Sequence, residues 1–187
     1  DPGQRLQGPQ ALPAVLAQLQ GFPSAAGAWE ADVLPARVRD YSPSWLDEAC
    51  RSGQFAWSRL ASTVSASTVA STSVVLLPRE HLQLWRSLAP PPSLDTLGPR
   101  AQRVHDALKT RGALFFDELA QEARLLPSEL ETALQALVGA GLANADSFTG
   151  LRSLITPAAR RTTRRPRFGH LPLSSSMAHA GRWALLA

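Results

Sequence analysis

Apolar residues along residues 10–20 fall at Leu12, Val15, Leu16 and Leu19, the i, i+3, i+4, i+7 spacing of a helix with one face turned to a core, and Gly21 ends the run. Trp29 and Val33, four apart, predict a second helix over 25–34. Ser42-Pro43 reads as an N-cap with proline at the first helical position, and Asp47 and Glu48 follow early in that helix, where its dipole favours acids. Gly53 closes it. Gln54 to Ser58 alternates like a half-buried strand, residues 61–73 are almost all Ser, Thr, Ala and Val, and Val74 to Leu77 is a short apolar strand.

The second half repeats that order. Arg100 to Lys109 predicts a helix with Val104 and Leu108 inward, Gly112 closes it, and Ala113 to Phe116 is a short strand. Asp117 is expected to cap a helix to about Arg124, and a further helix runs from Ser128 to about Val138, ended by Gly139 and Gly141. Leu142 to Ile155 reads as two short strands around Ser147-Phe148-Thr149-Gly150, and the apolar run Gly181 to Ala187 as a terminal strand. Pro43-Ser44-x-Leu46-x-x-Ala49 is echoed by Pro127-Ser128-x-Leu130-x-x-Ala133, which leaves duplication open between true repeat and chance.

Three helices followed by a two-stranded ribbon is the plan of the winged helix, a helix-turn-helix variant whose third helix can enter the major groove. The expected fold class is therefore mainly α with small β: tandem winged-helix domains, each with three helices and a two- or three-stranded wing. Proline sets the boundaries, because it donates no backbone hydrogen bond and biases its predecessor toward extended structure. Ala89-Pro90-Pro91-Pro92-Ser93 through Gly98-Pro99 divides the chain into a first domain at 1–88, a linker at 89–98 and a second domain at 99–187 with an Arg-rich loop at 158–170. Both candidate recognition helices are poor in cations: Ser44 to Ser52 offers Arg51, and Ser128 to Val138 offers no Arg or Lys. Base readout needs Arg, Lys, Asn or Gln at the exposed first turns, so scaffolding is the stronger expectation for both.

Charge changes the picture. The chain of 187 residues carries 19 Lys+Arg against 15 Asp+Glu and has a pI near 10.5. Residues 1–149 hold twelve cations and fifteen acids, whereas 150–187 hold seven arginines and no acid. Arg160, Arg161, Arg164, Arg165 and Arg167, spaced by hydroxyls and followed by Phe168, form a cationic segment suited to neutralising phosphates and stacking on an unpaired base. The alternative is a solvated loop without a partner. Arg37 and Arg39 beside Tyr41 make a second candidate, with pairing to Asp32, Asp40 and Asp47 as the other reading.

Length and motifs exclude most enzymes. A TIM barrel or a complete helicase motor needs roughly 250 residues or more. The sequence has no Gly-x-x-x-x-Gly-Lys loop, no Gly-x-Gly-x-x-Gly after a strand, no His-Glu-x-x-His and no Gly-x-Ser-x-Gly. Asp47/Glu48 and Asp117/Glu118 suit helix first turns better than an acid and a base. Cys50, the one cysteine, rules out an internal disulfide and suits a small buried helix residue, and His81 and His105 sit in amphipathic patterns. With no apolar run long enough to span a bilayer and no signal-peptide pattern, a soluble cytoplasmic protein without a membrane partner is expected. The missing initiator Met and the apolar end suggest a piece of a longer polypeptide.

The run Trp29-Glu30-Ala31-Asp32-Val33-Leu34-Pro35-Ala36-Arg37-Val38-Arg39-Asp40-Tyr41, followed by Trp45-Leu46-Asp47 and Gly53 to Leu60, resembles the C-terminal region of bacterial Lhr (large helicase-related) proteins. Gly112 to Leu119, Asp146-Ser147-Phe148-x-Gly150-Leu151-Arg152 and Gly181-Arg182-Trp183 extend the resemblance over most of residues 10–187. The resemblance implies a winged-helix array downstream of an ATP-driven superfamily 2 motor that moves on single-stranded DNA. On that basis the chain is a non-catalytic fragment serving nucleic-acid binding, strand guidance or assembly in DNA repair. It needs no cofactor of its own, ATP and Mg belonging to the motor. The implied partners are single-stranded DNA or a DNA–RNA hybrid, other domains of the same parent chain, and a second copy in a homo-oligomer. The alternative is an interaction or oligomerisation module that touches no nucleic acid. Related winged-helix regions in DNA glycosylases extend a fainter expectation of base excision to the parent. The bland stretch Ser62 to Ser73 departs from the pattern where a wing is expected.

Overall fold

The computed structural model describes residues 6–60, 69–95, 97–155, 177 and 180–186. It is mainly helical with three small sheets. In the first half, α1 (Leu12–Gln18) buries Leu12, Val15 and Leu16, and Gly21, at φ 75°, turns the chain back. Ser24–Ala25 (β2) then pairs with Val74 and Ser73 rather than beginning a helix. The amides of Ala26 and Gly27 continue that pairing onto the carbonyls of Thr72 and Ala70. The helix expected over 25–34 is thereby reduced to one wide π turn, Trp29–Val33, closed by Leu34 N–H to the Trp29 carbonyl. Trp29 is fully buried, and its indole donates to the Val74 carbonyl at 3.1 Å, so the turn is pinned to the sheet.

A two-residue parallel pair, β1 (Leu6–Gln7) with β3 (Val38–Arg39), ties the N-terminal strand to the end of this turn. In α2 (Pro43–Arg51), Leu46, Ala49 and Cys50 face inward. Ser42 holds the N-cap position, but its hydroxyl meets that of Ser44 instead of a helix amide. β4 (Phe55–Ser58) and β5 (Ser73–Pro78) form an antiparallel pair with Trp57 opposite Leu76, and the sheet order is β2-β5-β4.

All four residues of β4 are buried, which corrects the half-buried expectation. The second face is covered by α3 (Leu82–Leu88), a helix the sequence reading passed over. Ala56, Val75, Leu77 and Leu82 form a separate small core there, flanked by Leu60, Trp85 and Leu186.

The second half follows the same plan. α4 (Pro99–Arg111) buries Ala101, Val104, Ala107 and Leu108. β6 (Leu114–Phe115), α5 (Phe116–Ala123) and α6 (Pro127–Gly139) follow. Glu118, not Asp117, caps α5, its carboxylate accepting from the Phe115 amide at 2.9 Å; Glu129 does the same for Leu126 at 3.0 Å. β7 (Ala143–Ala145) and β8 (Arg182–Leu185) complete a sheet of order β6-β8-β7.

The second strand expected between Leu142 and Ile155 does not form. Residues Phe148–Ile155 are helix α7, because Phe148, Leu151 and Leu154 recur at helical spacing. Gly150 lets that helix lie directly on the sheet: a Cβ there would come within 2.6 Å of the Ala145 Cβ and 3.2 Å of the Trp183 ring. In each half, then, helix, short strand, helical turn or helix, helix, strand, connection and strand occur in sequence. The last strand lies in the middle of each sheet.

One apolar core runs through both halves, from Leu12, Trp29 and Trp57 to Leu130, Leu151 and Trp183. Gly21 depends on its missing side chain twice, through its left-handed φ and because a Cβ would run into the Trp85 ring on α3. Gly21→Ala is expected to lower stability by about 2–4 kcal/mol, read as a drop in urea midpoint at unchanged slope.

Candidate functional site: a charged clasp between the halves

Four elements meet where the halves join: the π turn, α2, α7 and the loop before α7. Asp47 sits on the inner face of α2, one turn past Pro43, and is buried. One carboxylate oxygen accepts from the Thr149 amide at 2.7 Å, so Asp47 caps α7, where an anion satisfies an otherwise orphaned donor and the helix dipole. Its other oxygen accepts from Arg152 Nη1 at 3.1 Å. Arg152 turns the rest of its fork to Glu30, Nε to Oε2 at 2.6 Å and Nη2 to Oε1 at 2.7 Å. Tyr41 donates its hydroxyl to Glu30 Oε1 at 2.9 Å.

The electrostatics follow from this packing. Burial works against the Arg152 charge, but hydrogen bonds and charge from Glu30 and Asp47 outweigh it and hold the guanidinium more firmly protonated than usual. Burial, then the Glu30 carboxylate, pushes the Tyr41 phenol well above its ordinary range. Burial, followed by the Asp47 charge, pushes the Cys50 thiol up to about 12. At the far side of the joint, the Trp57 indole donates to the Ser147 carbonyl at 3.0 Å, and Asn144 Nδ2 donates to the Trp57 carbonyl at 3.2 Å. Arg86 of α3 donates to the carbonyls of Gly141 and Leu186, both at 3.1 Å. A pocket of about 20 Å³ beside Arg59, Arg86 and Gly141 has room for little more than one water.

This constellation clasps; it does not present a reactive group. Its acids are neutralised by one arginine, its tyrosine and cysteine are held protonated, and no group of His, Cys, Asp or Glu suited to a metal occurs among the described residues. The clasp also uses up α2, whose inner face packs on α7 and whose exposed positions are Pro43, Ser44, Glu48, Arg51 and Ser52. On α6 the exposed positions after Pro127 are Ser128, Thr132 and Ala136. Glu129 there accepts from the Leu126 amide and pairs with Arg100 at 2.9 Å, which hold its carboxyl below the usual range. Neither helix presents the cationic first turn that major-groove readout requires.

Of the residues singled out in the sequence, Arg160, Arg161, Arg164, Arg165, Arg167 and Phe168 lie outside the described residues. Arg37 and Arg39 are exposed; Arg37 donates to its own turn at the Val33 carbonyl, 2.8 Å. Among the described residues neither forms an ion pair with Asp32, Asp40 or Asp47. Asp47 and Glu30 belong instead to Arg152, which the sequence reading named within the family resemblance and gave no role. A partner 105 or 122 residues distant leaves no local signature.

Residues 1–79 match the winged-helix domain of the Large helicase-related protein family. The chain is 32% identical over 196 aligned residues to the "Lhr helicase/uracil glycosylase" of Escherichia coli K12, covering 92% of this chain and 12% of that protein. It is also 32% identical over 203 residues to the "Lhr helicase/ probable uracil glycosylase" of Mycolicibacterium smegmatis, covering 94% of this chain and 12% of that protein. The chain thus spans about an eighth of these relatives.

Two outcomes test the clasp. Arg152→Ala leaves two inward carboxylates without a counter-charge. With Arg152 itself 31% exposed, the expected loss is about 2–3 kcal/mol, below that of a fully buried pair, measured by denaturant unfolding. Cys50, buried and with its thiolate suppressed, is expected to react with iodoacetamide at pH 8 about 100-fold or more slowly in the native chain than in urea, followed by mass spectrometry.

Proposed function

The chain belongs to the large helicase-related family, and from that premise we propose that it is a non-catalytic C-terminal segment of an Lhr-type ATP-dependent DNA helicase. It is a tandem of winged-helix units, 1–88 and 99–187, joined by the linker 89–98. The shared sheet order, β2-β5-β4 and β6-β8-β7, with equivalent elements between, supports the tandem. ATP and Mg are bound by motor domains elsewhere in the parent, a cytoplasmic bacterial protein of DNA repair. The observation that carries the reading is the clasp: Arg152, Glu30 and Asp47 fix two small units as one body, which suits guiding a strand beside a motor.

Nucleic acid is held by arginines on phosphate, independently of base sequence. The poverty of cations on α2 and α6 supports this division of labour. Arg160, Arg161, Arg164, Arg165, Arg167 and Phe168, with Arg37 and Arg39, are the proposed contacts, and single-stranded DNA or a DNA–RNA hybrid is the proposed partner. A second reading, an assembly module for other domains of the parent or another copy of the chain, is favoured by the commitment of α2 and α7 to packing. The relatives' names include uracil glycosylase; in this chain Glu30 and Asp47 are tied up in the clasp and Glu118 and Glu129 in helix caps, which favours a supporting role in any such activity.

Titration of the 187-residue chain with labelled single-stranded DNA at two salt concentrations separates the readings. Binding that weakens with salt is expected, and replacing the five clustered arginines by Gln is expected to flatten the log–log slope by up to about 0.7 per lost phosphate contact. No binding at low salt supports the assembly reading, and ATP turnover by the isolated chain overturns the non-catalytic assignment.

A further inference from the structure

Two aromatic rings are exposed among the described residues, Phe22 and Phe115. Phe22 is accounted for by its edge-on contact with Trp29, ring centroids 6.2 Å apart at 86°. Phe115 stands away from the core, 43% exposed, with the Arg182 guanidinium over its face at 5.1 Å from the ring centre. Exposed apolar side chains are common on a protein surface; Phe115 is set apart by the guanidinium held over its ring.

Its setting is rigid. Phe115 and Arg182 are directly opposite in the antiparallel pair of β6 and β8. The Phe115 amide is held by Glu118 Oε2 at 2.9 Å, and the Arg182 amide by Asp146 Oδ1 at 3.0 Å. Gly181, at φ 79°, makes the second contact possible, since a Cβ there would collide with that same Asp146 oxygen. The backbone at both positions is therefore fixed before any ligand arrives, and the contact of guanidinium over ring aligns the two side chains, which lowers the ordering cost of binding. Four residues before Phe115, Arg111 ends α4 with its charge spent on an exposed pair with Glu122 at 3.4 Å, an interaction weak enough to be exchanged for a phosphate.

We propose that Phe115 and Arg182 form a stacking platform for one unpaired base of a single-stranded nucleic acid, with Arg182 and Arg111 taking the adjoining phosphates. An aromatic face beside an arginine accepts any base, because every base has a π face, while the charges follow the backbone. A base inside a duplex keeps its faces covered by its neighbours, so the platform selects single strands. The proposal deepens the nucleic-acid reading above and rests on it, but uses none of the residues named there.

The test compares the chain with Phe115→Leu, which keeps apolar bulk and removes the π face, and with Phe115→Trp, which restores it. The probes are a labelled oligothymidylate, a duplex of equal length, and an oligonucleotide carrying 2-aminopurine, whose fluorescence falls when it stacks. Phe115→Leu is expected to weaken single-strand binding about fivefold or more, leave duplex binding within about twofold and abolish the 2-aminopurine quench. Phe115→Trp is expected to recover both. Arg182→Gln is expected to weaken single-strand binding and lower its salt slope. A Phe115→Leu chain that binds and quenches as the parent does, one that loses duplex and single strand equally, or failure of Phe115→Trp to recover overturns the platform while leaving nucleic-acid binding in place. A parent chain that binds neither probe at low salt overturns both.

Discussion

The fork of Arg152 is the interaction on which this arrangement depends. An arginine and two carboxylates withdrawn from water carry a desolvation cost of several kcal/mol per ion, and that cost is offset only if nearly every polar atom finds a partner of good geometry. Here Glu30 takes two guanidinium bonds and the Tyr41 hydroxyl, and Asp47 takes the third guanidinium bond and the Thr149 amide. Planarity matters, since a lysine could not reach both acids at these distances from a single point charge. The pairing also chooses one docking of α7 on α2, because the apolar packing of core residues such as Leu46 and Leu151 tolerates small shifts and a bidentate fork does not.

That docking decides what each element at the joint is free to do. In an isolated unit the third helix is the exposed one. Here α2 is turned inward by Asp47, and the segment after β7, which would extend a ribbon into solvent, becomes α7 and fills the joint. Among the described residues, exposed cations at strand ends and loops include Arg37 and Arg39 after the π turn, and Arg182 over Phe115 where β6 and β8 pair. Such positions offer charge and an aromatic face, and neither α2 nor α6 offers a base-reading first turn.

The Lhr resemblance was visible in Trp29 to Tyr41 and Gly181-Arg182-Trp183, and the family assignment agrees with it. The helices α1, α2, α4, α5 and α6 were legible because each buries a stripe at helical spacing and is closed by a glycine, a left-handed residue or a turn. Two misreadings share a cause. Trp29 and Val33 have helical spacing, yet the residues before them pair with β5; Leu142 to Ile155 reads as two strands, of which the first forms as β7, while Phe148, Leu151 and Leu154 of the second stretch pack as a helix over Gly150. Short segments carry too little local preference to resist a neighbour's hydrogen bonds or packing surface.

By itself the sequence determined the composition of the two halves, the places of α1, α2, α4, α5 and α6, the absence of the nucleotide-binding and catalytic motifs sought and the concentration of arginine toward the end, because these depend on local spacing and residue type. The tertiary structure alone decided that Asp47 would cap a helix 102 residues away, that Arg152 would take both Glu30 and Asp47, and that Arg182 would lie over Phe115. Such partners are chosen by which faces of the folded halves meet, and the bonds form only after burial has made an unpaired charge too costly to leave alone.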